Sequence, residues 1–204
     1  MNDFWLKARR GLLGIVYPIS ENVGHARAPW SRKLMTSKNY REVLPLLQPG
    51  DVLLSRTQGE LANVFIPGFW AHAFMYTGGE MLIEAIGKGV VETDLIDGVL
   101  TKDYLMVRRP SFANEAQRTE AAAWAKTKLG AAYDFFFNHT NEAFYCSELV
   151  WMAYEASVGP EVPFTLRKTL GLDTVIPDDI GAADKHWVTL YDSRLTVSKK
   201  LLAP

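Results

Sequence analysis

Cysteine is almost absent from this chain: Cys146 is the single one in 204 residues. That excludes an internal disulfide framework and any zinc site built from several cysteines. Histidine is scarce too, with only His25, His72, His139 and His186 present. No apolar run approaches the ~20 residues needed to span a bilayer. Nor is there an excess of one charge, since 22 Lys and Arg stand against 23 Asp and Glu. Nucleic-acid binders that gain affinity by neutralising phosphates need a basic excess, so that class of partner is excluded.

What is present is a core. Hydrophobic residues make up 48% of the chain, enough for one compact domain with an added arm. The arm is basic: the first forty residues carry Lys7, Arg9, Arg10, Arg27, Arg32, Lys33 and Lys38 against Asp3 and Glu21. From Asp3 to Val16, residues Trp5, Ala8, Leu12, Ile15 and Val16 share one helical face. Residues 1–48 therefore read as a helical arm that packs by its apolar stripe, with membrane-surface contact as the alternative. Lys7, Arg9 and Arg10 before Gly11 to Tyr17, with Ala26-Arg27-Ala28 downstream, imitate an export signal. Against that, Pro18 ends the apolar stretch early and Pro29 would follow the cut. A cytoplasmic location is expected, a periplasmic or exported one being the alternative, because one cysteine suits either.

Residues 49–204 form the main domain. Strand patterns cover Asp51 to Arg56, Phe69 to Tyr76, Met81 to Ile86, Val90 to Leu95, Tyr104 to Arg108 and His186 to Tyr191. Asn114 caps a helix reaching Leu129, Gln117 completes its capping box, and Gly130 stops it. Tyr133 to Phe137 reads as an extended run leading to a second helix, opened by Cys146. The strands cluster between helices instead of alternating with them, so the fold class is α+β with a mostly antiparallel sheet.

Leu149, Val150, Met152, Ala153 and Ala156 recur at helical spacing, which sets Cys146 near a helix amino end. Free N–H groups and the helix dipole stabilise a thiolate there. A lone cysteine is more often inert core, so its company decides. In a strand, His72, Phe74 and Tyr76 share one face and Ala71, Ala73 and Met75 the other. A two-residue Gly78-Gly79 turn would send His72 and Glu84 to opposite faces. A three-residue Thr77-Gly78-Gly79 loop instead pairs Tyr76 with Glu80 and sets His72 directly across from Glu84, with Cβ atoms about 5 Å apart. The three-residue loop is the expectation, chosen because it makes chemical sense of the two polar residues. Cys146, His72 and Glu84 then suit nucleophile, acid–base group and orienting partner. His139 lies among loop-forming polar residues, and His25 and His186 have no catalytic partner nearby in sequence. A zinc site from His72, Glu84, His139 and Cys146 lacks a tight ligand-spacing motif.

Gly130-Ala131-Ala132-Tyr133, followed by a loop and Tyr145-Cys146-Ser147-Glu148-Leu149-Val150, resembles the nucleophile segment of NlpC-type cysteine peptidases of the papain-like superfamily. Pro49-Gly50-Asp51-Val52-Leu53-Leu54, Trp70-Ala71-His72 and Ile83-Glu84-Ala85 look like that family's other elements. Here they precede the cysteine, an order that resembles the circularly permuted YiiX/YebB-like hydrolases over about Pro49 to Arg194. The resemblance implies a papain-like fold with Cys146 as nucleophile, His72 as base and acid, Glu84 as third member and Tyr133 as an oxyanion donor. Phe135-Phe136-Phe137 stand where ordinary members carry glycines. Asp134 and Glu148 read as structural, Glu148 complementing the helix dipole. The implied activity is cleavage of an amide, in a peptide of cell-wall type, without metal or organic cofactor. Thioester or lipid acyl chemistry and a non-catalytic peptide-binding module are the alternatives.

Overall fold

The computed structural model describes residues 34–58, 68–135, 137, 142–169, 172–182 and 184–195. The arm from Met1 to Lys33, including its expected helix and His25, lies outside them, as do Phe136 and His139. From residue 34 on, α1 (Ser37–Val43) runs into a short 3-10 turn at Leu44–Leu46, and both Met35 and Val43 are buried.

The Pro49-Gly50 corner then turns the chain into β1 (Val52–Arg56). Gly50 has φ +88, and a Cβ there would lie 2.5 Å from the Arg118 carbonyl oxygen, so only glycine fits. Asp51, fully buried, accepts hydrogen bonds from the Gln48 N–H and the Arg109 guanidinium. β2 (His72–Gly78), β3 (Met81–Ile86) and β4 (Gly89–Asp94) follow as a meander. The strand expected to reach Leu95 stops at Asp94, where α2 (Leu95–Leu100) begins and leads to β5 (Tyr104–Pro110). With β10 (Trp187–Asp192) these strands form a six-stranded antiparallel sheet in the order β10-β5-β1-β2-β3-β4.

Both faces of the sheet are covered, which explains why neighbouring Leu53 and Leu54 are both buried. On one face, Val52, Leu54, Ala73, Met75, Ile83 and Ala85 meet α3 (Glu115–Lys126) and α4 (Cys146–Val158). On the other, Leu53, Phe74, Tyr76 and Leu82 meet Met35, Val43, Leu95 and Val99. Asn114 caps α3 through reciprocal bonds with Gln117, and Gly130 at φ +83 follows its end, as the sequence predicts. Ala121, Ala122 and Ala125 keep the buried side of α3 shallow, and Leu149, Val150, Ala153 and Tyr154 fill the space beside them from α4. The extended run expected at Tyr133 to Phe137 is shorter: β6 (Ala132–Tyr133) pairs in parallel with β7 (Ala143–Phe144). A hairpin of β8 (Arg167–Thr169) and β9 (Leu172–Thr174), then α5 (Pro177–Gly181), complete the described elements.

The register between β2 and β3 corrects the expected loop. Gly78 pairs with Met81 across Gly79 and Glu80, whose φ values of 61 and 62 are those of a type I′ turn. Beyond it the register shifts, so that Tyr76 pairs with Leu82 and Met75 with Ile83, with Thr77 as the extra residue of a bulge. Neither the three-residue Thr77-Gly78-Gly79 loop nor a Gly78-Gly79 turn is present. His72 is therefore not directly across from Glu84; the pairing extends to Phe74 opposite Glu84, leaving His72 one diagonal step away. The bulge nonetheless preserves the parity, and both side chains stay on one face.

Candidate active site

Cys146 opens α4, and the first turn of that helix is pinned from two directions. Tyr145, extended at φ -92 and ψ 167, precedes it, and its N–H donates to the Glu148 carboxylate at 3.2 Å. Ser147 Oγ donates to the Val175 carbonyl at 2.7 Å, while the Val175 N–H donates to the Tyr145 hydroxyl at 3.2 Å. This reciprocal pair fixes the helix start against the segment leading into α5. The thiol it presents is 5% exposed.

His72 is the first residue of β2 and touches that thiol. Its Nε2 lies 2.6 Å from Glu84 Oε2, which leaves Nδ1 as the ring nitrogen toward Cys146. Glu84 Oε1 accepts a 2.6 Å bond from the Thr93 hydroxyl on β4. Phe74 packs edge-on against the imidazole with ring centres 4.8 Å apart, and the Lys102 ammonium stands 5.5 Å from the centre of the Phe74 ring. The result is a chain from thiol to imidazole to carboxylate to hydroxyl, drawn from α4, β2, β3 and β4.

Burial alone would raise the Cys146 thiol and lower the His72 imidazole, since each charged form loses water. Their mutual attraction and hydrogen bond reverse both tendencies. Cys146 is drawn down, helped by hydrogen bonds at the Ala73 and Ser147 backbone. His72 rises to about 9, held there by the Cys146 charge first and by Glu84 second. Glu84 likewise resists its burial: the His72 bond and charge, the Thr93 bond and the Lys102 charge bring it down to about 2. A thiolate–imidazolium pair backed by a carboxylate is the state these groups favour near neutral pH.

Cys146, His72 and Glu84 are thus brought together. Tyr133 lies on β6, its backbone pairing beside Phe144, two residues before Cys146, and its ring packs 4.8 Å from Phe135. Phe137 packs 4.8 Å from Tyr145, the residue before the nucleophile. His186 lies elsewhere, its backbone bonded to Ser111 and Asp184. The sequence reading missed Thr93. Its signal was the second hairpin: a turn at Gly87-Lys88 sets Thr93 across from Leu82, on the face that carries Glu84.

Comparison with known proteins identifies similar chains. A family model described as a permuted papain-like amidase enzyme, of the YaeF/YiiX type and C92 family, matches residues 46–202. YycO of Bacillus subtilis is 29% identical over 45% of this chain and 39% of its own length. YiiX of Escherichia coli K12 is 36% identical over 29% of each. The chain thus aligns with well under half the length of either relative. The solved structure of YiiX from Escherichia coli O157:H7, whose title calls that protein a metalloprotein, superposes with TM-score 0.59 at 24% identity, covering 71% of this chain and 97% of that one.

Proposed function

Because the chain belongs to the permuted papain-like amidase enzymes of the C92 family, we propose that it cleaves an amide bond in a short peptide through an acyl-enzyme on Cys146. The observation that carries this reading is the continuous contact of Cys146, His72 and Glu84 at the start of α4. The Cys146 thiolate attacks the amide carbon, forming a C–S bond as the carbonyl electrons move to oxygen. Backbone N–H groups at the helix start, with the Tyr133 hydroxyl as a further donor, stabilise that oxyanion. The His72 imidazolium gives its proton to the departing nitrogen as the C–N bond breaks. Water then attacks the thioester, His72 takes its proton, and release of the acid restores the thiolate. Glu84 holds the imidazole in one orientation throughout.

The same thioester intermediate serves acyl transfer, and the half-buried ring of Phe137 against Tyr145, the residue before the nucleophile, favours an apolar acyl group as a second reading. A metal fits less well. Cys146, His72 and Glu84 offer sulfur, nitrogen and oxygen donors, yet His72 Nε2 and Glu84 Oε2 lie 2.6 Å apart. That is the separation of a shared proton, whereas two ligands ~2 Å from one tetrahedral zinc lie roughly 3.3 Å apart. Among the described residues, no group of three or more His, Cys, Asp and Glu is arranged to hold an ion.

The test is intact-mass and peptide mass spectrometry of the protein incubated with a library of peptide amides and acyl thioesters. A transient acyl adduct on Cys146, formed from the amides and absent in Cys146→Ala, is the expected result. Adducts from thioesters alone would favour the acyl-transfer reading. No adduct from either, with an unreactive thiol, would overturn the proposal.

A further inference from the structure

We infer that Thr93 is a positioning residue of this site, holding the Glu84 carboxylate in the rotamer that faces His72; the inference rests on the amidase reading above. Glu84 is 7% exposed, and a buried carboxylate must fill both oxygens or pay for the one left bare. Oε2 serves His72, and the Thr93 hydroxyl fills Oε1 at 2.6 Å. The two bonds come from opposite neighbours in the sheet, β2 on one side and β4 on the other, so together they fix the carboxylate along the line between them. The charged groups acting on Glu84 are His72 and Lys102, and Cys146 completes the chain beyond His72. None of these reaches Oε1 by a hydrogen bond among the described residues. Removing the Thr93 hydroxyl therefore leaves Oε1 in a poorly solvated place, where the carboxylate gains by turning away from the imidazole. The imidazolium then loses its support, and the thiolate loses its counter-charge.

Two substitutions separate this role from simple packing. Thr93→Val keeps the shape and removes the donor; Thr93→Ser keeps the donor and removes the methyl group. Both side chains are tolerated on an edge strand such as β4. Iodoacetamide alkylation of Cys146 in the full chain, followed across about pH 5 to 10, reports the thiolate without requiring a substrate. Thermal melting is recorded alongside.

Thr93→Val is expected to shift the acid limb of alkylation upward by about one pH unit, making the thiolate roughly tenfold scarcer at the old midpoint. Thr93→Ser should stay within about twofold of the parent. A Val variant that matches the parent, or a Ser variant that falls as far as Val, would overturn the inference alone, provided the parent limb lies well below that of an ordinary thiol. A parent limb near the usual ~8.5, unchanged by His72→Ala, would overturn the amidase reading and this inference with it.

Discussion

At the scale of single residues, the site sets a pH window with two edges. The reactive form needs Cys146 ionised and His72 protonated. Its acid edge is therefore the lowered titration of the thiol, and its alkaline edge is the loss of the His72 proton near 9. Rate should rise as pH passes the first and fall as pH passes the second. Glu84→Gln removes a negative charge that helps hold His72 up, so the alkaline edge should move down toward the ordinary ~6.5. Turnover should drop about 10²-fold or more, by analogy with losing an orienting carboxylate. A pH–rate profile of the two proteins checks both; an unmoved alkaline edge would show that Glu84 does not act on His72. The residues themselves were legible in part. Cys146, His72 and Glu84 stood out because each is a rare or polar group in an apolar stretch. Thr93 did not, because a threonine in a strand is ordinary and its hydrogen bond depends on a pairing that no single strand reveals.

At the scale of elements, the bulge at Thr77 decides which way Glu84 points. The turn pairs Gly78 with Met81, and a ladder continued from it without a bulge would set Met75 opposite Glu84, facing the helices. The extra residue shifts the register by one and returns Glu84 to the side of His72. Deleting Thr77 removes only the extra residue and leaves the Gly78–Met81, Tyr76–Leu82 and Met75–Ile83 pairs in place, so Glu84 should stay on the side of His72. Denaturant melts should show a folded variant, and Cys146 alkylation should keep the parent's profile. A folded deletion variant whose thiol shows an ordinary profile would mean that the bulge itself, and not the register alone, holds Glu84 against His72. The sequence carried the hairpin but not the bulge. Glycines mark a turn, whereas the position of a bulge follows from strand twist and from what the partner strands bury. Short helices were hidden for a related reason: α1, α2 and α5 have seven, six and five residues, too few turns for a periodic pattern to emerge.

At the scale of the whole molecule, stability and chemistry are anchored at opposite ends of the central strands. His72 lies across from Ser55 at one end of the β1–β2 pair, while the Gly50 N–H donates to the Tyr76 carbonyl at the other. The α+β class was legible because the strand patterns cluster, and the long helices announced themselves by capping and periodicity. The tie between the Pro49-Gly50 corner and both helices was not, since it joins residues roughly seventy and a hundred positions apart: Arg118 crowds Gly50, and the Tyr154 hydroxyl donates to its carbonyl. Gly50→Ala would place a methyl group 2.5 Å from the Arg118 carbonyl oxygen at a φ of +88. Strain and overpacking should cost roughly 2 to 3 kcal/mol. Because the corner lies at the far end of β2 from His72, the folded variant should keep the parent's thiol reactivity. Thermal melting and Cys146 alkylation, both measured well below the lowered melting point, test the separation. Loss of reactivity in the folded variant would show that the corner and the site are coupled through the sheet, and that the rigidity of β1 and β2 is part of how the nucleophile is kept in place.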